Sequence, residues 1–218
     1  MTIEITGFNW VPDFARGYVR DLRPRWACEE IGLPYATRLI SPIPPKPAHY
    51  FEEQPWGQVP VLHDGGIQLF ESGAILLHLA EKDARLLSRD PQQRATSIAW
   101  LFAALNSVEP GLFELGNVTL FSKDEEWAKL RRPSLMEDIG KKFDRLADAL
   151  GDREWLGEDG FSVADIAMVT VLRNADRSPL VSERPALAAY VARGMARPAF
   201  ERAMAAQLAD FQPAPVAA

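Results

Sequence analysis

Cysteine is almost absent from the chain: Cys28 is the only one in 218 residues. One thiol closes no internal disulfide, and His49, His63 and His78 are too scattered to make a Cys/His cluster with zinc-ligand spacing. Long apolar runs are lacking too. The longest fall far short of the roughly 20 residues that span a bilayer, and no basic segment leads into an apolar one at the N-terminus, so neither a membrane span nor a signal peptide is expected. Positive charge is not in excess. Lys and Arg number 24 against 30 Asp and Glu, a formal net charge of −6, which would repel a polyanion and disfavours nucleic acid as a partner. The expectation is a cytoplasmic protein with no metal, membrane or nucleic acid among its partners.

What is present is an ordinary globular composition, 47% hydrophobic and 25% charged, in a chain long enough to bury a core without staples. The first half alternates strand and helix signals. Ile3–Phe8 is a β-rich run; Tyr18–Ile31 reads as a helix with Leu22, Trp26, Ala27 and Ile31 on one face, Gly32 as its stop, and Pro24 acceptable only near its first turn. Tyr35–Ile40 is the next strand. Prolines 42, 44, 45 and 47 then impose an extended surface loop. Val59–His63 and Ile67–Phe70 flank Asp64-Gly65-Gly66, a hairpin signal, and Ser72 caps a helix carrying Ile75, Leu76 and Leu79. From about Pro91 the strand signals stop. Arg94–Leu105, Lys123–Leu150, Ser162–Asn174 and Arg184–Gln207 have helical periodicity, the last broken at Pro198. The change of pattern predicts an α/β domain over 1–82, a linker at 83–92, an all-helical domain over 93–210 and a frayed or surface-draped tail at 211–218 with Pro213 and Pro215.

Three groups of residues, in order, carry a resemblance. Gly57-Gln58-Val59-Pro60-Val61-Leu62, Asp64-Gly65-Gly66 and Leu69-Phe70-Glu71-Ser72-Gly73-Ala74-Ile75 are similar to the glutathione-binding half of the glutathione transferase family. Trp26 to Tyr35 resembles the end of that family's first helix and its second strand; Asn106-Ser107-Val108-Glu109-Pro110 and Phe161 to Ile166 match its helical half. The resemblance covers nearly the whole chain and implies a thioredoxin-like α/β N-terminal domain followed by an all-α C-terminal domain, assembled as a homodimer.

It also implies roles. Pro60 would be a cis-proline, leaving the backbone of Val59 to pair with the cysteinyl part of glutathione, while Gln58 reaches the tripeptide's backbone or glycyl end. The start of the helix at Glu71-Ser72 suits the γ-glutamyl carboxylate, because unpaired N–H groups and a partial positive charge face it; Ser72 would donate to that carboxylate and Glu71 would pair with the ammonium. A hairpin followed by a capped helix, with no ligand, is the plain alternative. Lys46 and His49 lie near where relatives place a cation for the glycyl carboxylate; simple solvation is the alternative. Ser162 with Asp165 reads as a capping box, stapled by Phe161 and Ile166, and carries structure rather than chemistry.

Such transferases ionise the glutathione thiol with a hydroxyl or thiol placed after the first strand or at the first helix. No serine precedes Ser41; Thr2 and Thr6 are the only hydroxyls before Tyr18. Counted back from Gly32, Tyr18 stands where several serine-type classes keep their hydroxyl and is the candidate catalytic residue, with packing or a solvent-facing side chain as the alternative; the side-chain N–H groups of Asn9 and Trp10, or the backbone, are the other donors. Cys28 reads as a small core residue. Arg16, Arg20, Arg23 and Arg25 form a basic cluster that either neighbours the site or makes a solvated helix face. Trp100, Phe102, Asn106 and Phe113 could line an electrophile pocket, with core packing as the alternative. The resemblance implies transfer of glutathione, as co-substrate, to a small hydrophobic electrophile in a detoxifying role. A glutathione-dependent isomerase or peroxidase, and a non-catalytic binding or regulatory protein, remain open on the same residues.

Overall fold

A computed structural model of the chain describes residues 2–214; Met1 and the end of the expected tail, Pro215 included, lie outside the described residues. Two compact units result, one holding the residues up to Leu86 together with those from Ala196 onward, the other Leu87–Met195.

The first unit is built on a four-stranded sheet. β1 (Ile3–Phe8) and β2 (Tyr35–Ile40) run parallel, from Ile3 opposite Tyr35 to Phe8 opposite Ile40. A parallel pair needs a crossover, supplied here by α1 (Leu22–Ile31), which ends at Gly32 in the left-handed region, φ 72°. The helix begins four residues later than its apolar pattern suggests, which puts Pro24 in the first turn, where its missing N–H costs nothing. A short helix, α2 (Tyr50–Glu53), follows the proline-rich loop. β3 (Val61–Asp64) runs antiparallel to β1 and forms a hairpin with β4 (Ile67–Phe70), giving the order β2-β1-β3-β4. Gly65 and Gly66 both have positive φ, 60° and 93°, as a tight two-residue hairpin turn demands. α3 (Ser72–Ala80) closes the unit's first segment with Ile75, Leu76 and Leu79 fully buried.

The second unit is helical. α4 (Pro91–Phe102) is capped by Asp90, whose side chain accepts from the Gln93 N–H at 2.9 Å. It runs through a π-helical turn (Ala103–Val108) into α5 (Glu109–Gly116), a helix that Pro110 hides from a periodicity reading although proline is welcome in a first turn. A second π-helical turn (Asn117–Phe121) precedes the long α6 (Glu126–Leu150). α7 (Val163–Leu172), every residue of which is buried, α8 (Pro179–Ser182) and α9 (Pro185–Met195) complete the unit. Among the described residues no helix is long and apolar enough to cross a membrane.

One assignment differs from the sequence expectation. The helical stretch Arg184–Gln207 was expected to lie wholly in the 93–210 domain, but the break at Pro198 separates α9 from α10 (Pro198–Ala209), and α10 packs on α1 in the first unit. Phe200 meets Trp26 edge-on at 4.9 Å; burying such a pair stabilises by roughly 2–3 kcal/mol per side chain. Arg197 and Arg202 fix the register through Glu30, at 2.5 Å, and Glu29, at 2.7 Å. Apolar periodicity identifies the buried face of α10 but not the surface that covers it.

Candidate functional site

Strand directions gather the candidate residues at one end of the sheet. The C-terminal ends of β1, β2 and β4 and the N-terminal end of β3 coincide, because β2 is parallel to β1 and β3 is antiparallel to both β1 and β4. The Asn9–Asp21 loop, the proline-rich loop with Lys46, the Gln58–Pro60 segment and Glu71-Ser72 therefore all leave or enter the sheet on that side.

The Val59–Pro60 peptide bond is cis, as the proline's position before β3 suggested, and Pro44–Pro45 is also cis. The segment is braced from two directions. The buried Tyr50 donates its hydroxyl to the Gln58 carbonyl at 2.6 Å. On the other side Thr6 Oγ1 accepts from the Val61 N–H at 2.7 Å and donates to the Val61 carbonyl at 2.9 Å. This buried pair of hydrogen bonds holds the Thr6 hydroxyl to β3 and commits its proton to the Val61 carbonyl. Gln58 is exposed while Val59 and Pro60 are buried.

Glu71 is the one non-glycine residue with positive φ among the described residues, at φ 69° and ψ 115°. A bulky residue there stores strain of about 1–3 kcal/mol. It occupies the cap position of α3 yet makes no side-chain cap hydrogen bond, and its side chain is exposed. Ser72 behind it is buried, and the likewise buried Arg23, in the first turn of α1, donates Nη1–H to Ser72 Oγ at 2.9 Å. A guanidinium has only donors, so Ser72 receives a bond from Arg23 and its own proton is directed elsewhere. The corner thus combines a helix start, a hydroxyl donor and a buried cation, the chemistry that receives a carboxylate.

The Asn9–Asp21 loop has its own frame. Asn9 N–H donates to Ile40 O at 3.0 Å, a short 3-10 turn covers Asp13–Ala15, and Tyr18 N–H donates to Ala15 O at 3.0 Å. Tyr18 is half-buried in the turn that enters α1, and Asn9 and Trp10 are half-buried at its other end. Asp21 is fully buried between Arg25 Nε, at 2.8 Å, and Gln207 Nε2, at 2.7 Å. Burial pushes its carboxyl up to about 6, against the pull of Arg25. Arg25 also meets Asp210 at 2.7 Å; burial opposes its charge, but Asp21 and then Asp210 hold its pKa above the ordinary value.

The basic cluster therefore divides. Arg23 and Arg25 are buried and each is committed to a carboxylate or hydroxyl partner, which rules out a solvated face for them, whereas Arg16 and Arg20 are half-buried. The spacing of Asp21 and Arg25, four apart on a helix start, was the one signal of this burial. Their other partners, Asp210 and Gln207, are far away in the sequence.

Lys46 is only partly exposed. Its ammonium lies 4.9 Å over the Phe8 ring and donates to Ser41 O at 2.9 Å, and burial lowers its pKa. His49 is exposed just ahead of α2. Cys28 is fully buried and its thiol is pushed up to about 12, by burial first and by Glu29 second; it is a protonated core residue. In the second unit Phe102 and Phe113 are 53% and 64% exposed, so neither is core; Asn106 is exposed and Trp100 half-buried. Among the described residues no group of three or more His, Cys, Asp or Glu could hold a metal ion.

The geometry can be compared with known proteins. Residues 14–81 match the family described as glutathione S-transferase, N-terminal domain, and residues 124–193 the glutathione S-transferase, C-terminal domain. A glutathione S-transferase of Hyoscyamus muticus is 30% identical over 161 residues, 69% of this chain and 75% of that one. The disulfide-bond oxidoreductase YfcG of Escherichia coli is 35% identical over 155 residues, 67% of this chain and 69% of that one. A glutathione transferase from Pseudomonas putida, crystallised with one glutathione disulfide bound per subunit, superposes with a TM-score of 0.78 at 26% identity, over 93% of this chain and 90% of that one.

Proposed function

The chain belongs to the glutathione S-transferase family, and on that premise we propose that it transfers glutathione to small hydrophobic electrophiles. The observation that carries this reading is the corner at the start of α3, where buried Arg23 donates to Ser72 on the same side of the sheet as the Val59–Pro60 segment. In the proposed complex the backbone of Val59 pairs with the cysteinyl unit and Gln58 faces the glycyl end, where Lys46 supplies positive charge. Ser72 and the α3 start take the γ-glutamyl carboxylate, and Glu71, exposed at its strained position, pairs with the ammonium. That gives a use to a conformation which stability alone disfavours.

Tyr18 is the proposed thiol-polarising residue, with the side-chain N–H groups of Asn9 and Trp10 in the same loop as the other donors. A hydrogen bond to sulfur favours the thiolate and lowers the pKa of the bound thiol. The thiolate then attacks carbon: a C–S bond forms, the leaving group departs with its electron pair, and the thiol proton has already passed to solvent. The protein's own thiol takes no part, since Cys28 is buried and protonated. The cytoplasm, a homodimer, a detoxifying role and a glutathione-binding domain over 1–82 belong to the same reading.

A second reading is favoured by the oxidoreductase relative and by the glutathione disulfide in the Pseudomonas putida protein: the same site would run a glutathione-dependent redox reaction. Calorimetric titration with glutathione, followed by turnover assays with an aromatic halide and with a peroxide or disulfide, separates the possibilities. Binding with conjugation supports the transferase, binding with reduction alone supports the second reading, and binding without turnover leaves a binding or regulatory protein. Absence of binding overturns the proposal. Tyr18→Phe should raise the pH at which bound glutathione ionises by about one unit, read from thiolate absorbance; an unchanged midpoint would move the role to Asn9 or Trp10.

A further inference from the structure

The end of α10 and the residues after it contact the Asn9–Asp21 loop through Gln207, Phe211 and Gln212, and the start of α1 through Asp210. Gln207 Nε2 donates to the Val19 carbonyl at 3.0 Å and to Asp21 Oδ1 at 2.7 Å. Asp210 pairs with Arg25 at 2.7 Å. The Phe211 ring lies under the Arg16 guanidinium, 5.3 Å from its carbon. The Gln212 N–H donates to the Asn9 carbonyl at 2.7 Å. Gln207, Asp21 and Arg25 are each buried almost completely, whereas Asp210 and Phe211 are half-buried and Gln212 is exposed. The contacts span the loop: Asn9 at its entry, Arg16 at its middle, Val19 and Asp21 at its exit. Between them stand Trp10 and Tyr18.

From this we infer that residues 207–212 form a clasp that positions the thiol-polarising loop. The inference rests on the functional reading above for what the loop does, but the clasp itself is a matter of contacts within one unit. The loop's own hydrogen bonds, Ala15 N–H to the Pro12 carbonyl at 2.8 Å and Tyr18 N–H to the Ala15 carbonyl at 3.0 Å, set its local turns, and the C-terminal contacts tie its entry and its exit to one further element. A donor must stay within a few tenths of an ångström of its place to stabilise a thiolate. The clasp supplies that constraint from the far end of the chain through a buried Asp21–Arg25–Asp210 cluster, a cation over an aromatic ring and one backbone hydrogen bond. Asp210, Phe211 and Gln212 are therefore positioning residues, acting on the reaction through the loop and not by touching glutathione.

The test uses the full chain, a truncation ending at Ala209, and Asp210→Asn, which keeps the chain length should the truncation fail to fold. Amide hydrogen exchange is read first. Exchange in residues 9–21 should rise on the order of tenfold in the truncation and less in Asp210→Asn, while β3 and α3 stay within roughly threefold of the parent. The second readout is the bound thiol: its ionisation midpoint should rise by about one pH unit and kcat fall on the order of tenfold, with KM for glutathione within about threefold. A merely structural defect would lower thermal stability without moving that midpoint.

Unchanged loop exchange in both variants overturns the clasp. Raised exchange with an unchanged thiol midpoint and kcat, in a protein that binds glutathione, overturns the positioning role. Should the parent protein bind no glutathione, the functional reading falls and takes the positioning role with it, and loop exchange alone decides the clasp.

Discussion

Two helices of this protein start at a serine with an acid within one turn of it, and the two starts are finished in opposite ways. At α7 everything is closed within the chain. Ser162 Oγ accepts from the Ala164 N–H at 3.3 Å, and Asp165 accepts from the Ser162 N–H at 2.8 Å, the Leu156 N–H at 3.0 Å and the Tyr190 hydroxyl at 2.8 Å, all of it buried. At α3 the acid precedes the serine, sits exposed with φ 69° and caps nothing; the serine takes a bond from a buried arginine and keeps its proton for another partner. A helix start that serves stability satisfies its own donors in a relaxed conformation. One that serves binding leaves donors directed outward and tolerates strain to do so. The resemblance implies structure for the first motif and ligand binding for the second, and the hydrogen bonds show how differently the two starts are built.

That contrast can be broken by substitution. Asp165→Ala should have the largest effect, because it strips partners from Leu156, Ser162 and Tyr190 in a buried setting; a loss of roughly 3–5 kcal/mol is expected in urea unfolding, with glutathione affinity of the folded protein unchanged. Ser72→Ala should act on binding as well as stability. Buried Arg23 loses this acceptor, a cost of about 1–3 kcal/mol in unfolding, while calorimetry shows glutathione affinity reduced about 10–100-fold, the worth of one hydrogen bond to a charged group. Equal affinities would remove Ser72 from the site. Ser162→Ala removes the cap and the hydroxyl's bond to Asp165 Oδ2 at 3.1 Å and should cost about 1–2 kcal/mol, without touching binding. Smallest of all, Glu71→Gly should stabilise the fold by less than about 1 kcal/mol, since relief of strain is partly offset by the freedom glycine adds to the unfolded chain. The same change should weaken glutathione binding. A destabilised Glu71→Gly protein would mean that the residue's conformation is not strained.

Much of α3 and its hairpin was legible in the sequence because the signals are local. Gly65-Gly66 fixes the turn, Pro60 stands before a strand, and Ser72 opens an apolar period, all within one short stretch. β3 begins only at Val61, two residues later than the apolar run suggests, because Pro60 has no N–H to give a ladder. The loop from Asn9 to Asp21 resisted reading because it has no period, and what holds it lies nearly 190 residues away at Gln207. Arg23 and Arg25 illustrate the same limit. Clustered charges near a helix start ordinarily face solvent, and only the fold shows that Ser72, Asp21 and Asp210 surround these two. The helix at Pro198 was visible; its packing on Trp26 was not, since periodicity describes one surface of a contact.

The most direct test of the contrast is a titration of the full chain with glutathione, followed by amide chemical shifts. The amides of Val59, Ser72 and Gly73 should shift together and saturate, while those of Ala164 and Asp165 at the α7 start stay in place. No shift at Val59 or Ser72 at millimolar glutathione would contradict the assignment of the α3 start as a binding site and reduce it to a strained turn without a ligand.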